Sequence, residues 1–178
     1  MASDPVPNLV VIRPLADEAE ARFCAEFIAA SEPWTTLGLQ FDYIFQRLTD
    51  PTREIHVATV ENKIVGGLVL HLTGPLNGYI QIIAVHPDWR CRGIGAKMIQ
   101  FAEERIFRGS PNVFLCVSSF NEHAQRLYER LGYVRVGELK DFVKEGFTEI
   151  LMRKSRGPLR NFKANKAAFN PTPPTSAE

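Results

Sequence analysis

The chain is poor in the residues that staple or metallate small proteins. Its 178 residues contain three cysteines (Cys24, Cys91, Cys116) and four histidines, all scattered. An odd number of distant cysteines builds no disulfide framework and offers no CxxC metal spacing. A reducing cytoplasm is therefore the expected compartment, and no metal is expected. Long apolar runs are also missing. No stretch nears the roughly 20 residues needed to cross a bilayer, and the first ten, MASDPVPNLV, lack the basic and apolar regions of a secretory leader. No membrane role is expected. Two phosphate-binding signatures are absent as well. GxxxxGK[ST] occurs nowhere, and GxGxxG fails because Met98 stands at its third glycine position. The acid that should follow about 20 residues later is missing too, since that region reads NVFLCV.

What remains is ordinary for a soluble globular protein, with 45% hydrophobic and 23% charged residues. The length suits one domain with its own core. The net charge of +1 is unevenly placed: from Arg153 onward there are six basic residues and one acid, so the preceding part carries −4. A mildly acidic body suits a cationic or amine substrate. The end, GPLRNFKANKAAFNPTPPTSAE, has four prolines and no periodicity. Residues 1–156 are therefore expected to form a single domain and 157–178 a basic, proline-containing tail. Such a tail has weak affinity for phosphate backbones, but no nucleic-acid-reading motif accompanies it, and nucleic acid is not the expected partner.

Hydrophobic periodicity predicts the order β-α-α-β-β-β-α-β-α-β-β. NLVVIRPL reads as a first strand. DEAEARFCAEFIAAS follows as a helix, with Ala19, Phe23, Phe27 and Ile28 near helical spacing. EPWTTLGLQ interrupts it, and FDYIFQRLT makes a second helix with Phe41, Ile44, Phe45 and Leu48 on one face. EIHVATVENKIVGGLVLHLTG reads as a hairpin turning at Glu61-Asn62-Lys63, and GYIQIIAV as a strand apolar enough to be central. A helix over about 94–107 repeats Ile94, Met98, Ala102 and Ile106 at intervals of four. NVFLCVSS is a buried strand. NEHAQRLYERLGY is a helix with Asn121 suited to the N-cap and Gly132-Tyr133 suited to the C-terminal glycine and its apolar contact. YVRVGELKDF and TEILMRKS close a mixed α+β domain around one sheet.

The stretch AVHPDWRCRGIGAKMIQFAEERI sets Arg90, Arg92, Gly93 and Gly95 directly before the third of these helices. Helix N-termini carry unpaired N–H groups and a partial positive charge, so they attract anions. Glycines there let the backbone bend and come close to a bulky anion. Arginines add charge-assisted contacts. RCRGIG resembles the [QR]xxGx[GA] loop of the GNAT superfamily of acyl-CoA-dependent N-acetyltransferases, and it follows a strand ending in AVHP as that family's loop does. NEHAQRLYERLGY is similar to the family's N…A…LYxxxGF/Y signature. SEPWTTL resembles, more weakly, the Pro-Trp stretch of the branch that acetylates ribosomal-protein N-termini.

The resemblance covers roughly residues 9–153. It implies a central mixed, mostly antiparallel sheet of about seven strands with helices on both faces. It also implies acetyl transfer from acetyl-CoA to a primary amine by direct attack in a ternary complex. The strand before the loop would splay from its neighbour, with Ile83, Ala84 and Val85 pairing with the pantetheine amides. Arg90 opens the loop, and the backbone of Cys91, Arg92, Gly93, Ile94, Gly95 and Ala96 would ring the pyrophosphate. Asn121 would touch the cofactor arm besides capping its helix. Tyr128 takes the position of the family's general acid, protonating the departing thiolate. An ordinary core tyrosine is the competing account, because Ala124, Leu127, Tyr128 and Leu131 form a helical stripe.

The general base is open. Where the N-terminal-acetylating branch has a glutamate, this chain has Cys116. Glu149, Glu32, Asp42 and a water held by Gln81 are the alternatives, and none is assigned. Cys116 sits in an apolar strand, as a buried inert thiol does. His71, at a strand end, is a candidate for the acceptor site. An acyl-CoA-binding regulatory module without catalysis also fits RCRGIG. The acceptor amine is not specified, and a homodimer is compatible with the sequence.

Overall fold

A computed structural model describes residues 10–164. Their element order is β1 (Val11–Pro14), α1 (Glu18–Ala29), α2 (Trp34–Leu37), α3 (Phe41–Leu48), β2 (Glu54–Val60), β3 (Lys63–His71), β4 (Tyr79–Val85), α4 (Ile94–Ile106), β5 (Asn112–Ser118), α5 (Glu122–Arg130), β6 (Val134–Lys140) and β7 (Thr148–Ser155), with 3₁₀ turns at Pro87–Trp89 and Leu159–Asn161. The strands form one sheet in the order β1-β2-β3-β4-β5-β7-β6. Every pair is antiparallel except β4–β5. The protein is thus a mixed α+β domain with β4 at the centre of its sheet.

Two clusters of side chains cover the two faces. On one, α1 and α3 supply Ala21, Cys24, Ile28, Ile44 and Leu48 against Val57, Val69, Ile82 and Ala84 of the sheet. On the other, α4 and α5 bring Met98, Ile99, Ala102 and Tyr128 against Leu68, Val113, Leu115, Ile150 and Met152. The predicted stripe Ile94, Met98, Ala102 and Ile106 is fully buried. That of α1 is rotated from the expected one: Ala21, Cys24, Ala25 and Ile28 face the sheet, while Phe23 is 42% exposed and stacks on His86. Small residues are needed there because the helix lies close over Gly67. A Cβ at Gly67 would stand 3.3 Å from Ile28 Cδ1.

Local signals explain most boundaries. Asp17 caps α1 by accepting from Glu20 N. Glu61 and Asn62 both have positive φ, 49° and 63°, and Val60 pairs with Lys63. The β2–β3 turn is therefore a two-residue primed hairpin, with Lys63 already in β3. Gly132 (φ +90°) ends α5, and Tyr133 N donates back to the Tyr128 carbonyl with the two rings 6.0 Å apart, a Schellman ending with its apolar contact. The interruption after α1 contains a short helix of its own, α2, which sequence periodicity did not reveal. β7 is tied down to Arg156, whose N–H donates to Pro111 O and whose guanidinium lies over Phe107. Of the expected tail, residues 165–178 lie outside the described residues. No described helix is long and apolar enough to cross a membrane.

Candidate active site

The site begins with a defect in the sheet. In the β3–β4 ladder Leu70 pairs with Ile80 and Val69 with Ile82, so Gln81 is an extra residue, a β-bulge. Bulges bend the strand that carries them. β4 accordingly pairs with β5 only at Tyr79↔Phe114 and Ile80↔Leu115, and beyond the bulge the two strands part. The edge of β4 from Gln81 to Val85 that would have continued this ladder has no partner strand. Its Ile83, Ala84 and Val85 line a cleft of about 1220 Å³. This exceeds the usual span of small-molecule pockets, about 300–1,000 Å³, and suits two ligands better than one.

The glycine loop closes one end of the cleft. Cys91 (φ +59°) and Gly93 (φ +79°) turn the chain so that Gly93 becomes the N-cap of α4 without any side-chain cap. The first intrahelical bond is Lys97 N to Gly93 O. None of the N–H groups of Cys91, Arg92, Gly93, Ile94, Gly95 and Ala96 finds an acceptor among the described residues. Six consecutive unpaired donors at a helix N-terminus fit a pyrophosphate. The Arg90 Nε donates to Val85 O, so its side chain spans the loop and lines the cleft. The Arg92 side chain does not: it donates to Asp88 O, lies over Trp89, and leaves only its backbone to the loop.

α5 supplies the next wall. Asn121 caps the helix by accepting from Ala124 N and also lines the cleft. Tyr128 is 8% exposed and packs within the α4–α5 core, yet it too lines the cleft. Its hydroxyl has no hydrogen-bond partner among the described residues. Burial pushes its pKa up to about 12, so the phenol keeps its proton at neutral pH.

The remaining wall was not anticipated as a unit. Cys116 pairs with Leu151 and Ser118 with Glu149 across β5–β7. Directly opposed residues share a face, and all four line the cleft. The Ser118 hydroxyl donates to Glu149 Oε1 at 2.6 Å. Glu149 is 6% exposed, and burial raises its pKa against the lowering effect of that bond. Burial also raises the Cys116 thiol, which faces the Tyr79 hydroxyl and stays protonated, a poor nucleophile. Tyr79 is likewise shifted up by burial, with Cys116, Glu149 and Tyr43 adding to the effect. Of the other candidate bases, Glu32 and Gln81 line the cleft and Asp42 does not. Glu32 is held below its ordinary pKa by Thr35, a poor property for a base. His71 lines the cleft, as its place at the strand end suggested. Glu149, one of several candidate bases in the sequence, carries no motif; its register opposite Ser118 sets it apart.

Comparison with known proteins identifies the family and the fold. Residues 18–133 match the acetyltransferase (GNAT) family. The S-(2-succino)cysteine N-acetyltransferase of Bacillus subtilis (strain 168) is 30% identical over 162 residues, covering 82% of this chain and 96% of that protein. N-alpha-acetyltransferase 30 of Schizosaccharomyces pombe is 26% identical over 122 residues, covering 65% and 77%. Among solved structures, an aminoglycoside 6′-N-acetyltransferase complexed with coenzyme A superposes with a TM-score of 0.67 at 17% identity, covering 83% of this chain and 98% of that one. A GNAT acetyltransferase from Desulfovibrio desulfuricans superposes with a TM-score of 0.70 at 19% identity, covering 83% and 99%. The splayed central strands, the donor-rich loop and these likenesses converge: the chain belongs to the GNAT family and is an acyltransferase that takes acetyl-CoA as its donor.

Proposed function

We propose that this protein transfers the acetyl group of acetyl-CoA to a primary amine by direct attack, with both substrates bound at once. The observation that carries the reading is Tyr128, a buried, protonated phenol without a hydrogen-bond partner among the described residues, on the wall of the cleft that begins at the pyrophosphate-type loop. When bound, the donor supplies an activated thioester. The residues of the chain do the rest. The loop from Cys91 to Ala96 holds the diphosphate, Ile83 to Val85 offer backbone groups to the pantetheine amides, and Tyr128 gives its proton to the departing sulfur. Asn121 supports the cofactor arm from the start of α5. A covalent acetyl-enzyme is disfavoured by the protonated Cys116 thiol. Relatives named for N-acetylation, one of them of S-(2-succino)cysteine, support a nitrogen acceptor.

Two measurements test this. Coenzyme A should raise the melting temperature, and pantetheine without the diphosphate should do so far less. Acetyl-CoA should then release free thiol in the presence of at least one member of a panel of primary amines. Stabilisation by NAD but not by coenzyme A overturns the donor assignment. Coenzyme A binding with no thiol release across the panel leaves the regulatory-module reading in its place.

A further inference from the structure

The strands that line the cleft separate two kinds of group. Val113, Leu115, Val117, Ile150 and Met152 lie on the face that packs with Tyr128. Side chains alternate along a strand, so Ser118 and Glu149, which neighbour Val117 and Ile150, lie on the opposite face, the side of α1 and α3. Tyr79 belongs to that side too, since its hydroxyl is influenced by Tyr43 of α3 as well as by Cys116 and Glu149. The slot between β4 and β5 runs between these faces. An acid waits on one side of it and a buried carboxylate on the other.

Nothing in the fold needs that carboxylate. It has no ion-pair partner among the described residues, and its one hydrogen bond comes from Ser118. A buried unpaired carboxylate is costly to keep. On the wall of the same cleft, Gln81 Oε1 is buried and lacks a donor among the described residues. Both residues line the same cleft, and each would be satisfied by a ligand rich in N–H donors. The rim of the cleft on this side is apolar: Trp34, Leu76, Phe142 and Val143 line it, with Leu76, Phe142 and Val143 exposed to solvent. Lys144 Nζ donates to Thr36 O at 2.7 Å, which joins the β6–β7 loop to α2 beside this rim.

We infer that Glu149 is the ammonium anchor and general base of the acceptor site, and that the acceptor is a protonated primary amine carried on an apolar body. The inference rests on the acetyl transfer proposed above. Proton balance follows from the two faces. An ammonium nitrogen brings three N–H protons. Glu149 accepts one, and the freed lone pair forms the new C–N bond as the C–S bond breaks. The sulfur takes a proton from Tyr128, and the second nitrogen proton replaces the one lost by Tyr128. The third stays on the amide, and Glu149 releases its proton to water. Ser118 is a positioning residue that holds Oε1 and leaves the other oxygen for the amine.

The test uses the full chain saturated with coenzyme A and benzylammonium as the probe, with benzyl alcohol as its uncharged counterpart. Calorimetric titration at neutral pH should show benzylammonium binding to wild type and at least tenfold weaker binding to Glu149→Gln, while benzyl alcohol binds both alike. Thiol release from acetyl-CoA with benzylamine should fall in Glu149→Gln by about 10²–10⁴-fold, the usual worth of a positioned base. Ser118→Ala should lower turnover at neutral pH and shift its pH profile upward, because the carboxylate loses its hold and a bond that lowers its pKa. Equal benzylammonium affinity in wild type and Glu149→Gln, no binding to wild type, or unchanged turnover in the variant each overturns the inference. Coenzyme A affinity is measured alongside in both proteins. Its absence in wild type sinks the donor site instead, so the two failures are told apart.

Discussion

On the donor side of the slot, six consecutive N–H groups and the free edge of a bulged strand present hydrogen-bonding groups that belong to the backbone. On the acceptor side, Tyr79 from β4, Cys116 and Ser118 from β5, and Glu149 from β7 present side chains brought together by sheet register. Backbone recognition tolerates almost any residue provided that glycine stands where the chain must turn or be approached. Side-chain recognition changes with each substitution. One scaffold can therefore keep its donor and exchange its acceptor, and substitutions in the two regions should fail in different ways.

The largest expected effect lies between the regions. Tyr128→Phe keeps the ring that packs against Tyr133 and removes only the hydroxyl. A general acid acts in the transition state, so kcat should fall by about 10²–10⁴-fold while coenzyme A affinity stays unchanged. Steady-state kinetics with any accepted amine decides the matter. Turnover within about threefold of wild type, under 1 kcal/mol of barrier, would make Tyr128 a packing residue.

A purely donor-side change should be smaller and should appear in binding. Gly93 has φ +79°, so a side chain there strains the loop itself. Gly95 is the sharper probe: its φ is not positive, and a Cβ would meet Leu127 and Val85 at an ordinary 3.8 Å. Gly95→Ala should therefore fold as wild type does but hinder the approach of the diphosphate. Coenzyme A affinity is expected to drop about tenfold, or about 1.4 kcal/mol. An unchanged dissociation constant would show that the loop is not closely approached at this residue.

These contrasts also explain what could be read from the chain. The glycine loop and the α5 signature are contiguous, so RCRGIG and NEHAQRLYERLGY mark the proposed donor site in short stretches of sequence. The stripe of α4 is equally plain because one side of that helix is core and the other solvent. The stripe of α1 misled because its small residues, Ala21, Cys24 and Ala25, carry less hydrophobic signal than Phe23, which is largely exposed. The bulge at Gln81 is hidden because Ile80, Ile82 and Ile83 are apolar on both sides of it. Glu149 stands in the sequence as one candidate base among several, and nothing local singles it out. It is 31 residues from Ser118, and only the pairing of β5 with β7 joins them.

Stability against pH offers a quieter test of the acceptor side. Burial holds the Glu149 pKa above its ordinary value of 4.5. Its contribution to stability is therefore fully present below that value and is lost as pH rises through the elevated folded pKa. Tyr79 and Cys116, the titratable groups facing it, are themselves shifted up and remain neutral across this window. Glu149→Gln cannot titrate, so its melting temperature should gain on wild type as pH rises from about 5 to 8. Glu20, far from the slot, should behave in the opposite way. Its hydrogen bonds to Arg13 lower its pKa, so its contribution is present above 4.5 and lost on acidification. Glu20→Gln should therefore fall furthest behind wild type at neutral pH. Parallel pH–melting curves for the two variants would remove the special status given to Glu149.

The smallest effect is expected at the basic end of the chain. Among the described residues, the last hydrogen bond and ring contact to the body beyond near neighbours are made by Arg156, through Pro111 O and the Phe107 ring. The 3₁₀ turn that follows, Leu159–Asn161, buries nothing, and Leu159 is 65% exposed. Every residue placed on the donor wall lies before position 129, and the acceptor wall ends with β7. Truncation after Arg156 should therefore leave coenzyme A affinity within about twofold of wild type, less than 0.5 kcal/mol. Titration of both chains at low and at moderate salt checks this. Arg160 and Lys163 do not line the cleft, so any pull of theirs on the diphosphate acts at long range and is screened by salt. A loss of affinity confined to low salt would assign the tail to steering. A loss that persists at moderate salt would place part of the donor site in the tail, and the separation of a backbone-built donor half from a side-chain-built acceptor half would no longer hold.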